Sequence, residues 1–176
     1  MEKIRLVNAS LNIVYELGDM ENSAFIKEYY GLIQLNNDPL GIWLKSPKIR
    51  KASDESDQVL LTLLIELHRK IDTLTQTLNN PGPLHLPLQN SANLQAIGHG
   101  YFQFEKAVLR KGDMYYGRID MPIFPRRDMP LFFEAISEDT AKIILMHEDD
   151  EQDWSGYMVA CERVMIRQMK GHSNEY

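Results

Sequence analysis

Apolar positions along the chain change their period near its middle. Between Asp57 and Leu78, the residues Leu60, Leu64, Leu67, Ile71, Leu74 and Leu78 are spaced alternately by four and three. That is the seam of a heptad repeat, which sets all six on one face of a helix. Val59, Leu61, Leu63 and Ile65 widen the first half of this face beyond the needs of a two-stranded coiled coil, so the helix wants more than one neighbour. Downstream the period falls to two. Ser91 to Gly98, Gly100 to Glu105, Met114 to Asp120, Met129 to Ala135 and Thr140 to His147 read as five short strands separated by turn residues. A series of this kind predicts a sandwich or small barrel. A last helical set, Trp154, Tyr157, Met158, Cys161, Val164 and Met165, follows the acids Glu148, Asp149, Asp150, Glu151 and Asp153. It ends with Arg163, Arg167 and Lys170, and acid before base is the charge order that complements a helix dipole.

Punctuation divides these runs. Asn36-Asn37-Asp38-Pro39 is a turn, Ser46-Pro47 opens a polar stretch, and Asn79-Asn80-Pro81-Gly82-Pro83 is a strong break, because proline removes a donor and clashes with the preceding turn. The layout is a mainly helical N-terminal segment over residues 1–55, the heptad helix over 56–79, a linker over 80–90, a barrel with its C-terminal helix over 91–171, and a tail over 172–176. Asn22 or Ser23 caps a helix that buries Phe25, Ile26, Tyr29, Tyr30 and Ile33, whereas the first twenty residues are ambiguous between strand and helix. Met114, Tyr115, Tyr116, Ile123, Phe124, Met129, Leu131, Phe132 and Phe133 exceed what one buried strand face needs. Two readings stand side by side: a contact patch, or strands covered by the N-terminal segment.

Composition narrows the classes. The 176 residues carry 19 basic and 25 acidic side chains, a net charge of −6, which makes the chain a poor ligand for nucleic acid. The basic island Lys45, Lys48, Arg50 and Lys51 is too short to reverse that expectation. One cysteine, Cys161, allows no internal disulfide and fits a reducing, cytoplasmic setting. Residues 1–7 lack the apolar run of a secretory signal, and the longest apolar stretches are too short to span a membrane. No helical histidine pair, calcium-loop spacing, nucleophile elbow or phosphate loop is present. Cys161 falls on an apolar stripe, where cysteine behaves as a small hydrophobe. Neither a metal nor an enzyme is expected, and a small barrel enzyme using His99 or His147 is the weaker alternative.

The order of motifs carries a resemblance. The barrel opens with Ser91-Ala92-Asn93-Leu94-Gln95-Ala96-Ile97-Gly98, followed by the strand Tyr101-Phe102-Gln103-Phe104. The turn Lys111-Gly112-Asp113 comes next, and the chain closes with a helix containing Glu162-Arg163 and Arg167. This resembles a PilZ domain, the bacterial receptor module for cyclic di-GMP, with Asn93 and Gly98 matching the family's opening motif and Gln95 replacing its serine. The preceding heptad helix resembles an atypical PilZ subgroup that assembles into tetramers, and the likeness covers about residues 56–170. It implies an α+β fold built on a small antiparallel barrel of the split-barrel type. It also implies a non-enzymatic interaction protein in cyclic di-GMP signalling, acting in motility, pili or virulence, whose partners are itself and a signalling or motility protein.

The family's paired arginines, four positions apart ahead of the barrel, are missing. No Lys or Arg lies between Lys70 and Lys106, and His85 and Gln89 of the stretch Leu84 to Ser91 bring no fixed charge. Two phosphates and two guanines call for planar, charged donors. Binding of the usual kind is therefore not expected, and no cofactor is assigned. Arg163 and Arg167 have the right spacing in the wrong place, which leaves a true receptor with a relocated basic site as the alternative. Asn93 and Gly98 read as fold-keeping residues, the asparagine for a local turn and the glycine for a positive φ.

Overall fold

In a computed structural model of the chain, residues 4–36, 55–79, 85–123 and 127–172 are described. The turn after Asn36, the basic island, the break from Asn80 to Pro83, Leu84, Phe124 and the end of the tail lie outside them. The elements are β1 (Leu6–Leu17), α1 (Ser23–Asn36), α2 (Glu55–Asn79), β2 (Asn90–Gly98), β3 (Tyr101–Phe104), β4 (Met114–Met121), β5 (Arg127–Ala135), β6 (Thr140–Leu145) and α3 (Glu148–His172). They fall into two compact units, Met1–Tyr29 with Leu88–Tyr176, and Tyr30–Pro87.

The first unit is a closed antiparallel barrel in the order β1-β2-β3-β6-β5-β4. Five of its strands are those expected from the period-two pattern. The sixth corrects the reading of a mainly helical N-terminal segment, because residues 6–17 form a twelve-residue strand. Its pattern is plain in hindsight: Val7, Ala9, Leu11, Ile13 and Tyr15 are buried while Asn8, Ser10 and Asn12 face solvent. Only pairing with two partners distant in sequence fixes it as a strand. Asn12 sits opposite Asn93 of β2 on one side and Asp120 of β4 on the other.

Ile13, Leu94, Phe102, Phe104, Ile119 and Leu131 fill the interior with no solvent access. Tyr115 stacks on Phe133 at 5.4 Å between ring centroids, with Tyr15 edge-on to Tyr115 at 5.9 Å. Trp154 of α3 closes one end, its indole N–H donating to the Gly98 carbonyl at 2.9 Å. The β2–β3 hairpin turn uses Gly100 at φ 70°, and the connection leading into β4 uses Gly112 at φ 88°, conformations that a side chain opposes.

The doubly apolar β4 and β5 are explained by what lies outside the barrel. Tyr116 and Phe132 point away from the interior, and Phe25 of α1 stacks on Tyr116 at 5.0 Å while Tyr29 meets Phe132 at 5.8 Å. Cover by the N-terminal segment is thus the correct reading for these residues. Asn22 starts the covering helix, its side-chain oxygen accepting from the Ala24 and Phe25 N–H groups at 3.1 and 3.4 Å.

Candidate functional site

Two places merit chemistry on sequence grounds, the barrel-opening strand and the heptad helix. On β2, Asn93 is exposed and serves the sheet: the Asn12 amide donates to its side-chain oxygen and to the Ala92 carbonyl, both at 3.3 Å, and to Ser91 Oγ at 3.4 Å. The Asn93 carbonyl in turn accepts the Glu105 N–H at 3.0 Å. Gly98 is buried, but the positive φ expected of it is absent. Its requirement is space, since a Cβ there would lie 2.4 Å from the Arg5 carbonyl oxygen and 3.1 Å from a Leu6 methyl.

Arg163 and Arg167 are exposed on α3. At 1.5 Å per residue they lie about 14 and 20 Å along the helix from Trp154, the residue that touches Gly98. Among the described residues, neither hydrogen-bonds to Asn93 or Gly98. The four residues are not brought together into one site. Cys161 is half-buried beside Tyr157, whose phenol is pushed up to about 12 by burial and by that thiol. His99 is exposed, and His147 Nδ1 accepts the Asp149 N–H at 3.3 Å. Among the described residues no cluster of His, Cys, Asp or Glu is arranged to hold a metal ion.

Sequence reasoning missed two buried ion pairs. The acids in the first turn of α3, read as dipole complement, include Asp150, which is 2% exposed and forms an ion pair with Arg127, Oδ1 lying 2.8 Å from Nη2. Arg127 also pairs with Asp153. Burial pushes the Asp150 carboxyl above the usual carboxylate range, while Arg127 and His147 pull it down. The second pair joins α1 to the barrel: Glu28 Oε1 accepts from Arg118 Nη1 at 2.5 Å and from the Tyr116 hydroxyl at 2.8 Å. These partners are 90 residues apart in sequence, so no local signal announces them. An open depression of about 420 Å³, lined by Glu105, Lys106, Ala107, Ser137, Glu138 and Asp139, carries no comparable group. The carboxylate of Asp139 is used within its own turn and by β3, accepting from Ser137 and Thr140 and from Gln103.

The heptad helix, in the second unit, is the most unusual surface. Leu60, Leu64, Leu67, Ile71, Leu74 and Leu78 are each between 51% and 80% exposed, and Val59 and Leu63 beside them are at least half exposed. Solvated leucines occur singly on any protein, whereas a continuous row along a 25-residue helix is apolar area left in water by one chain alone. At about 25 cal/mol per Å², withdrawing such a row from water is a strong drive to associate. Compared with family models, with curated proteins and with solved structures, the chain matches none of them.

Proposed function

We propose that this chain is a non-enzymatic, self-assembling regulatory module of the PilZ type, acting through contacts with a signalling or motility protein rather than by turnover. The observation that carries the reading is the exposed heptad row of α2. A 3-4 periodic row selects another helix of the same periodicity, and a second copy of the chain supplies one at matched concentration. The PilZ assignment rests on the order of sequence motifs, and a closed six-strand barrel followed by one helix is compatible with it.

In this reading the module does not hold cyclic di-GMP in the usual way. Support comes from the absence of Lys or Arg between Lys70 and Lys106 and from the bonding of Asn93 within the sheet. Two experiments test the proposal. Light scattering should give a multiple of the 20.4 kDa chain mass, and Leu67→Asp with Ile71→Asp should lower it by burying unpaired charges in the seam. An unchanged mass sinks the assembly. Calorimetric titration with cyclic di-GMP at low salt should give no heat. A saturating micromolar isotherm would instead favour a true receptor, with Arg163→Ala and Arg167→Ala the next variants.

A further inference from the structure

The solvent face of α3 has a charge order that suits its own dipole and is also complementary to a second copy of the same face. Asp150, Trp154 and Met158 turn toward the barrel, so at 3.6 residues per turn the outward stripe runs through Glu148, Gln152, Val159, Arg163, Ile166 and Lys170. Val159 and Ile166 on this stripe are 39% and 43% exposed. The N-terminal half is acidic. The C-terminal half carries Arg163, Arg167 and Lys170, and its one acid, Glu162, is already paired with Arg5. On the flank of the same stripe sits Gly156, where a Cβ would meet nothing within 4 Å. Glycine weakens a helix interior relative to alanine, and the fold of a single chain gives no reason for it.

We infer that this face of α3 is a contact between two copies of the chain, with the helices antiparallel across a two-fold axis at Val159. That placement sets Glu148 and Asp149 of one copy against Lys170 and Arg167 of the other, twice by symmetry. It sets Val159 against its own counterpart, and Gly156 lets the two backbones approach. A face whose charges reverse in sign about its centre is complementary to itself. The contact is separate from the α2 seam and does not rest on the reading of that seam.

Cysteine crosslinking of the full chain tests it. In a Cys161→Ala background, Val159→Cys places two thiols at the axis, while Val164→Cys places a more accessible thiol, 51% against 39% exposed in the native chain, on another side of the same helix. With oxidised glutathione at micromolar protein, the first should form disulfide-linked dimers about tenfold faster than the second or more, because the contact raises the local thiol concentration towards millimolar. Gly156→Leu, which fits the single chain, should remove that advantage. Equal rates for the two cysteines, or an advantage that survives Gly156→Leu, overturns the proposal. The change in mass on Leu67→Asp, Ile71→Asp reports on the seam and the crosslinking rates report on α3, so the two ideas fail separately.

Discussion

Removing the Glu28 carboxylate should weaken the barrel unit measurably. Glu28 and Arg118 have side-chain exposures of 7% and 8%, and one carboxylate oxygen receives both Arg118 and the Tyr116 hydroxyl. In Glu28→Ala a buried guanidinium and a buried hydroxyl lose their shared acceptor. Breaking such a pair costs about 3–5 kcal/mol, and Arg118 keeps further interactions, which places this case near the lower end. For a chain of this size about 3 kcal/mol corresponds to a fall of roughly 10 °C in Tm. The triple variant Glu28→Leu, Arg118→Met, Tyr116→Phe removes the charges and the hydroxyl together and should return to within about 1.5 kcal/mol of the native chain, since apolar replacement of a buried pair is often close to neutral. Urea unfolding at fixed protein concentration, followed by near-ultraviolet circular dichroism, measures all three proteins. A loss below about 1 kcal/mol for Glu28→Ala, or a triple variant as unstable as the single one, would refute the assignment of this pair as the anchor of α1.

Gly98→Ala should cost about 1–3 kcal/mol through overpacking, because the new methyl meets the Arg5 backbone at 2.4 Å; thermal unfolding reads it, and a neutral result would mean that β1 gives way freely. Asp150 and Asp139 should respond to pH with opposite signs. The Asp150 carboxyl is raised by burial, so its ionised form penalises the fold as pH climbs through the folded-state pKa. Asp150→Asn should therefore gain stability relative to the native chain between pH 4 and pH 7, and a difference that is flat or falls with pH refutes this. The Asp139 carboxyl is held low by Ser137, Gln103 and Thr140, so its contribution is present at neutral pH and lost as pH falls through the folded-state pKa. Asp139→Asn should lose stability at pH 7 and approach the native chain in acid, measured by the same urea series.

The sequence by itself determined the elements whose hydrophobic period is local. Five strands, the helix over residues 55–79 and the C-terminal helix were legible because each sets its apolar residues on one face at a fixed spacing, and a helix or strand needs no distant partner to show its period. The cap of α1 was legible as Asn22 or Ser23, and the structure chooses Asn22. Tertiary structure alone decided the fate of residues 6–17, because Val7 to Tyr15 become a strand only by pairing with β2 and β4 and closing the barrel. It also decided that Phe25 and Tyr29 cover Tyr116 and Phe132. The excess of apolar residues on β4 and β5 announced a second contact without saying with what. The candidate sites divide along the same line. The spacing of the apolar row on α2 could be read from sequence, but neither its exposure nor the buried pairs Glu28–Arg118 and Asp150–Arg127 could, because a charge looks like surface until the fold brings its counter-charge to it. Gly98 shows the finest grain of this distinction: the sequence marked the glycine, and only the Arg5 carbonyl pressed against it supplied the reason.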